Sequence, residues 1–279
     1  MGQTFTDPPS GLARGPVNCP STNKRNMPKM PNLVEMLQAG MHYGHGASHW
    51  HPKMGPYIYG EKSGIHIIDL EKTQVQLESA LNTLKEITSR GGIVLFVGTK
   101  VQAKGIVQKY ADACGMPYVT ERWLGGTLTN FQQLKETLKR LKTLKDQREK
   151  GELKKYTKKE QLLLGREIEE MEVKIGGIQH LTKIPDAIFV IDVRNEKTAV
   201  QEAQVTRTKV IAVCDTNVNP KGVDAVIPAN DDAVKSIELV CKLACEAVKE
   251  GKASAAKMIA DKAAADKASV KPAASEPAA

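Results

Sequence analysis

Short, unbroken apolar runs alternate with amphipathic stretches along the middle of the chain, and this alternation limits the fold more than any other feature. "GGIVLFVGTK" (91–100), "PDAIFVID" (185–192), "KVIAVCDT" (209–216) and "VDAVIP" (223–228) are each apolar without a polar face. Such runs suit strands buried on both sides. The stretches "AKGIVQKYADACG" (103–115), "NEKTAVQEAQVTR" (195–207) and "NDDAVKSIELVCKLACEAVKEG" (230–251) read as helices, and "PYVT" (117–120) as a short strand. Strand and helix in alternation imply a parallel, doubly wound sheet with helices on both faces, an α/β fold.

One segment breaks the pattern. From Phe131 to about Ile178 no strand signal occurs. Leu134, Leu138, Leu141 and Leu144 form one apolar stripe, and Leu164, Ile168, Met171, Ile175 and Ile178 form another. Two heptad-like stripes separated by "REKGELKKYTKKE", with Gly151 as the reversal point, predict an antiparallel coiled-coil hairpin inserted into the sheet domain and projecting from it. Residues 131–160 carry eleven Lys or Arg against five acids, an excess of six within a whole-chain net charge of +8. Most of the positive charge therefore sits on this arm.

The expected organisation is a disordered N-terminal extension (1–31), an α/β sheet domain in two parts (32–128 and 179–250), the hairpin arm (129–178) and a disordered Ala/Lys-rich tail (251–279). Neither end offers enough apolar surface to offset the entropy of ordering. No apolar run reaches the length of a membrane span, and the first residues have no secretory h-region. Five scattered cysteines without a C-x-x-C pair indicate reduced thiols and a cytoplasmic setting. A sequence pI near 9.1 favours a polyanionic partner.

Candidate sites divide by chemistry. The glycine spacings of dinucleotide-binding and P-loop proteins are missing, so "FVGTK" reads as a tight turn after a strand, with Lys100 in solvent. No pair of carboxylates stands out as acid and base, which argues against an enzyme. His42, His45, His49 and His51 fall within ten residues, yet Gly44, Gly46 and Pro52 break any helix that would align them. Hydrogen bonds to backbone or phosphate are preferred to a metal site for these rings, and no cofactor is expected. Cys241 and Cys245, four apart, read as buried apolar residues. In "ERWLGGTLTN" (121–130) the glycines allow a sharp turn into the arm, with Thr129 or Asn130 as N-cap. Amides exposed there, beside Arg122, would suit an anionic backbone, whereas the plainer reading is a structural corner.

The strings "HYGH", "WHPKMGPYIYG", "IHIIDLEKT", "LFVGTK", "RWLGGTLTN", "PDAIFVID", "DTNVNP" and "VIPANDDA" occur in this order between about Leu33 and Glu250. Together they closely resemble the bacterial small-subunit ribosomal proteins of the S-two family. The resemblance implies a flavodoxin-like domain with a coiled-coil arm. It implies a non-catalytic constituent of the small ribosomal subunit that binds small-subunit rRNA and neighbouring ribosomal proteins, including the S-one type. There are departures: His51 stands where the family usually has Asn, Phe131 where many members have Trp, and "VTRTKV" lacks the usual Gly-Ile-Pro turn. The opening thirty or so residues have no counterpart, and Met27 or Met30 is read as the natural start. The residues expected to contact RNA are His42, His45, Trp50, Lys53, Arg90, Lys100, Arg122, Trp123 and Asn130. Of these, Trp123 is expected mainly to pack the corner. Lys135, Lys139, Arg140 and Lys142 are the expected arm contacts, to rRNA or to a neighbouring protein, with a solvated face of Glu–Lys pairs as the alternative reading of this charge run.

Overall fold

The computed structural model describes residues 30–269, with the backbone alone described for Lys154 and residues 259–269. Residues 1–29, nearly all of the expected N-terminal extension, and residues 270–279 of the expected tail lie outside the described residues.

The elements run α1 (Leu33–Gln38), β1 (Tyr43–Gly46), β2 (Ile58–Lys62), β3 (Ile65–Ile68), α2 (Leu70–Ser89), β4 (Val94–Val97), α3 (Val101–Cys114) and β5 (Tyr118–Val119). They continue with α4 (Phe131–Glu149), α5 (Lys158–Ile175), β6 (Ala187–Ile191), α6 (Lys197–Thr206), β7 (Lys209–Cys214), β8 (Ala225–Pro228) and α7 (Val234–Ser269). The unbroken apolar runs become a five-stranded parallel sheet of order β5-β4-β6-β7-β8. Alternate residues face opposite ways. Val94 and Phe96 join one apolar cluster with α2, α3 and α7, whereas Leu95 and Val97 join another with α4, α5 and α6. Helices thus cover both faces, as the alternation required.

Capping explains where the helices begin and end. Asp69 accepts the amides of Glu71 and Lys72 at the start of α2, and Gly115 closes α3 at φ +60. The helix before "TKV" ends without Gly or Pro, because Arg207 itself takes the left-handed conformation at φ +57. Its amide donates to the carbonyls of Ala203 and Gln204 and so closes α6.

Two features differ from the sequence reading. β1, β2 and β3 form a separate antiparallel sheet of order β1-β3-β2, which was not expected. The signal was present in "EKSGIH": Ser63 and Gly64 both have positive φ (54 and 77), the turn that closes a tight hairpin. Next, the tail expected from residue 251 is helical as far as Ser269, because α7 runs on without a break. Ala and Lys are strong helix formers, so an Ala/Lys-rich segment fused to a packed helix extends it. The arm segment is a pair of helices, α4 and α5, with Leu134, Leu141, Ile168 and Ile175 buried. These four belong to the same apolar cluster as one sheet face, through Phe131 and Trp123.

Candidate nucleic-acid interface

The chain leaves β4 for β5 on one side, then returns to β6 on the other. The carboxyl ends of β4 and β6 therefore mark the switch point where open α/β sheets commonly bind ligands. Here the switch point is filled by the chain's own charges. Lys100, just beyond β4, places Nζ 2.7 Å from Asp231, 2.6 Å from Asp232 and 3.6 Å from Asp192. Asp192 follows β6 and Asp231 follows β8, both buried. Burial alone would lower the Lys100 ammonium's pKa, but hydrogen bonds to Asp231 and Asp232 more than offset this and hold it above its ordinary value. Asp231 is pushed up to about 6 by burial and by Asp192, against the pull of Lys100. The free lysine in solvent expected from "FVGTK" is corrected: Lys100 is committed to three carboxylates of its own chain.

β1 meets this cluster from the small sheet. A Cβ on Gly44 would lie 2.6 Å from the Thr216 side chain, so glycine permits the close approach of β1 to the end of β7. The His45 amide then donates to Thr216 Oγ1 at 2.9 Å. The His45 ring lies between Asp215 (Nδ1 to Oδ2, 3.0 Å) and Asp232 (Nε2 to Oδ2, 3.4 Å). Asp215 beside it raises the imidazole pKa against the opposing effect of burial, and Asp231 and Asp232 add to the rise. His45, Asp231 and Asp232 bring one ligand atom each within 4.8 Å of one another, a set that could hold a metal ion if Lys100 swung away. The four histidines are not gathered into one site. His42 packs against Tyr43 with ring centroids 3.9 Å apart, and burial lowers its pKa. His51 Nδ1 accepts the Lys53 amide, and His49 is exposed.

The corner "RWLGGTLTN" answers its chemical question from inside. Glu202 on α6 is buried and accepts five hydrogen bonds. Its Oε1 takes the Trp123 indole N–H at 3.0 Å and the Gly126 amide at 2.8 Å. Its Oε2 takes the amides of Leu128 (3.0 Å) and Thr129 (3.2 Å) and the Thr129 hydroxyl (3.2 Å). Gly126, at φ +89, supplies the left-handed bend that turns these donors inward. Burial by itself would raise the Glu202 pKa, but the donors from Leu128, Trp123, Gly126 and Thr129 together bring it below the usual carboxylate value. The turn is an anion-binding concavity, and its anion is a side chain. The amides of Gly126, Leu128 and Thr129 are therefore taken by Glu202 and do not stand open to an RNA backbone. Asn130 occupies the N-cap position of α4 without a side-chain cap hydrogen bond. Glu202 lay hidden in "AVQEAQ", where an acid at a buried helical position was the one available sign.

The remaining expected contacts are scattered over the surface. Trp50 is 41% exposed and packs its ring 5.2 Å from that of His66. Lys53 and Arg122 are exposed, and neither side chain has an ion pair among the described residues. Arg90 caps the end of α2 and pairs with Glu86. On the arm, Lys135 lies over the Phe131 ring at 4.9 Å and Arg140 pairs with Glu167 at 2.6 Å. Lys145 pairs with Glu172 at 2.7 Å. Lys139 and Lys142 are exposed and unpaired among the described residues. Part of the arm's excess charge is thus satisfied between basic α4 and the acids of α5.

The geometry consists of a filled switch point, a self-capped corner and separate surface cations on a two-faced α/β body. The family model described as Ribosomal protein S2 matches residues 36–251, which is most of the chain and all of the sheet. The chain belongs to the ribosomal protein S2 family, RNA-binding structural components of the small ribosomal subunit that serve translation.

Proposed function

We propose that the chain binds small-subunit rRNA by phosphate contact and neighbouring ribosomal proteins by apolar contact, and performs no catalysis. The observation that carries this reading is the state of the switch point. Where an α/β enzyme would open a ligand crevice, Lys100 and its carboxylates close a network of their own. The exposed cations Lys53, Arg122, Lys139 and Lys142 are dispersed over the surface, an arrangement suited to an extended polyanion rather than a small substrate. Aromatic content is only 4%, so recognition proceeds by backbone and shape more than by stacked bases.

A protein neighbour fits another face. Leu33, Val34 and Leu37 on α1 and Tyr59 on β2 are exposed (37%, 58%, 56% and 81%) around a groove of about 350 Å³. Contiguous apolar surface of this kind suits a protein partner, such as an S-one type neighbour, better than RNA.

Sucrose-gradient sedimentation of a cell lysate tests the reading, which requires the chain to travel with small subunits. A chain that stays at the top of the gradient, or a purified chain that ignores rRNA at low ionic strength, overturns it. Charge reversal at Lys139, Arg140 and Lys142 is expected to lower subunit incorporation. Unchanged incorporation assigns the arm's charge to solvent.

A further inference from the structure

A cavity of about 570 Å³ opens beyond the carboxyl ends of β6 and β7, between the turn into α6 and the loop from β7 to β8. Arg194, Lys197 and Lys221 stand on its wall, all exposed and without an ion pair among the described residues. Among the described residues, no Asp or Glu lines it. This contrasts with the Lys100 cluster, where carboxylates outnumber the cation. Lys197 is the first residue of α6, so the positive end of that helix faces the same space. His51 also lines the cavity, and its Nδ1 is already an acceptor for the Lys53 amide, which leaves the ring proton on Nε2 as a donor.

Cations and a helix start would suit any phosphate. Amides narrow the choice. Gln201 and Gln204 line the wall, and a third amide, Asn217, has a buried Oδ1 with no hydrogen-bond partner among the described residues. A buried acceptor without a donor is costly to leave unsatisfied, and phosphate oxygens have no proton to give it at neutral pH. A ribose 2′-hydroxyl or a base N–H does, once the Asn217 amide turns its oxygen towards the cavity. The volume lies within the range of small-ligand sites.

We infer that this cavity holds one unstacked ribonucleotide of an RNA strand, with its phosphate among Arg194, Lys197 and Lys221 and its sugar or base edge against the amides. The assignment rests on the rRNA-binding reading above and gives that reading a specific seat, one in which a splayed-out nucleotide supplies both charge and hydrogen-bonding edges. None of the residues expected from sequence to contact RNA lies in it.

The test uses the full purified chain with small-subunit rRNA, an unstructured ten-nucleotide RNA, a nucleoside monophosphate and inorganic phosphate. Lys197→Gln and Lys221→Gln are each expected to weaken ten-mer binding about 3- to 10-fold at low salt. Each should also reduce the slope of log affinity against log salt by about 0.7. Gln204→Ala is expected to weaken binding with the slope unchanged, because it removes an uncharged contact. All three positions are exposed, and an unaltered unfolding midpoint for each variant separates lost contact from lost fold. If wild-type chain binds rRNA while these variants match it in affinity and slope, the cavity assignment is wrong and the rRNA reading stands. If wild-type chain binds no rRNA, both fall. Inorganic phosphate displacing the ten-mer as effectively as a nucleoside monophosphate would overturn the nucleotide in favour of a bare anion site.

Discussion

Two charges, the buried Glu202 and the half-buried Lys100, organise most of what is specific to this molecule. Glu202 gathers five donors from the corner, so Glu202→Gln replaces an acceptor-only carboxylate with a group whose NH2 faces N–H donors. A loss of about 2 kcal/mol in urea unfolding is expected. The sign of its pH dependence follows from its lowered folded pKa. Its stabilisation is present above the unfolded carboxylate value and is lost as pH falls through the folded one. The stability gap between wild type and Glu202→Gln should therefore shrink on acidification from about pH 5 towards pH 3, which melting curves across that window would show. Lys100→Met leaves Asp192 and Asp231 buried without their cation, and a cost of about 3 kcal/mol is expected. Affinity for rRNA, measured under conditions where the variant remains folded, should hardly change. A large affinity loss with intact stability would mean that Lys100 faces phosphate after all.

The hairpin shows how one element serves two requirements. Leu141 and Ile168 are each about 1% exposed, at the seam of α4 and α5. Leu141→Ala should cost about 2–4 kcal/mol through the cavity it leaves. Hydrogen exchange should quicken in both arm helices before it does in β4, β6 and β7. Equal loss of protection throughout would show that the arm and the sheet open as one unit, as their shared apolar cluster also permits. The heptad spacing made the two helices and their seam legible, because a period near 3.5 survives in sequence whatever the helix packs on. The small β1–β3 sheet was not legible. Its strands are four and five residues long, hold Gly and His, and show no clean alternation of burial. What makes them strands is pairing with one another, which leaves little trace in any one of them.

At the scale of the whole molecule, the net charge of +8 is an average over unlike regions. The switch point concentrates carboxylates, α5 neutralises part of α4, and among the described residues unpaired cations lie at the α6 cavity and on outward faces. Affinity for rRNA should accordingly fall steeply with salt, with a log–log slope near −3 if roughly four phosphates are neutralised. Fluorescence titration between 50 and 200 mM salt measures this, and a flat response would contradict phosphate-led binding. By itself the sequence determined the parallel sheet, the helices on both faces and the inserted helical pair. These follow from hydrophobic periodicity, which local residues carry without reference to distant ones. The motif strings likewise carried the family resemblance. Only the tertiary structure decided which charges remain available. Lys100 meets Asp231 across 131 positions of chain, and Glu202 meets Gly126 across 76, and no local pattern records either meeting. A lysine after a strand and a pair of glycines before a helix look open in one dimension. In the folded chain, burial removes water from these groups, and their hydrogen bonds must be completed by whatever the fold brings alongside.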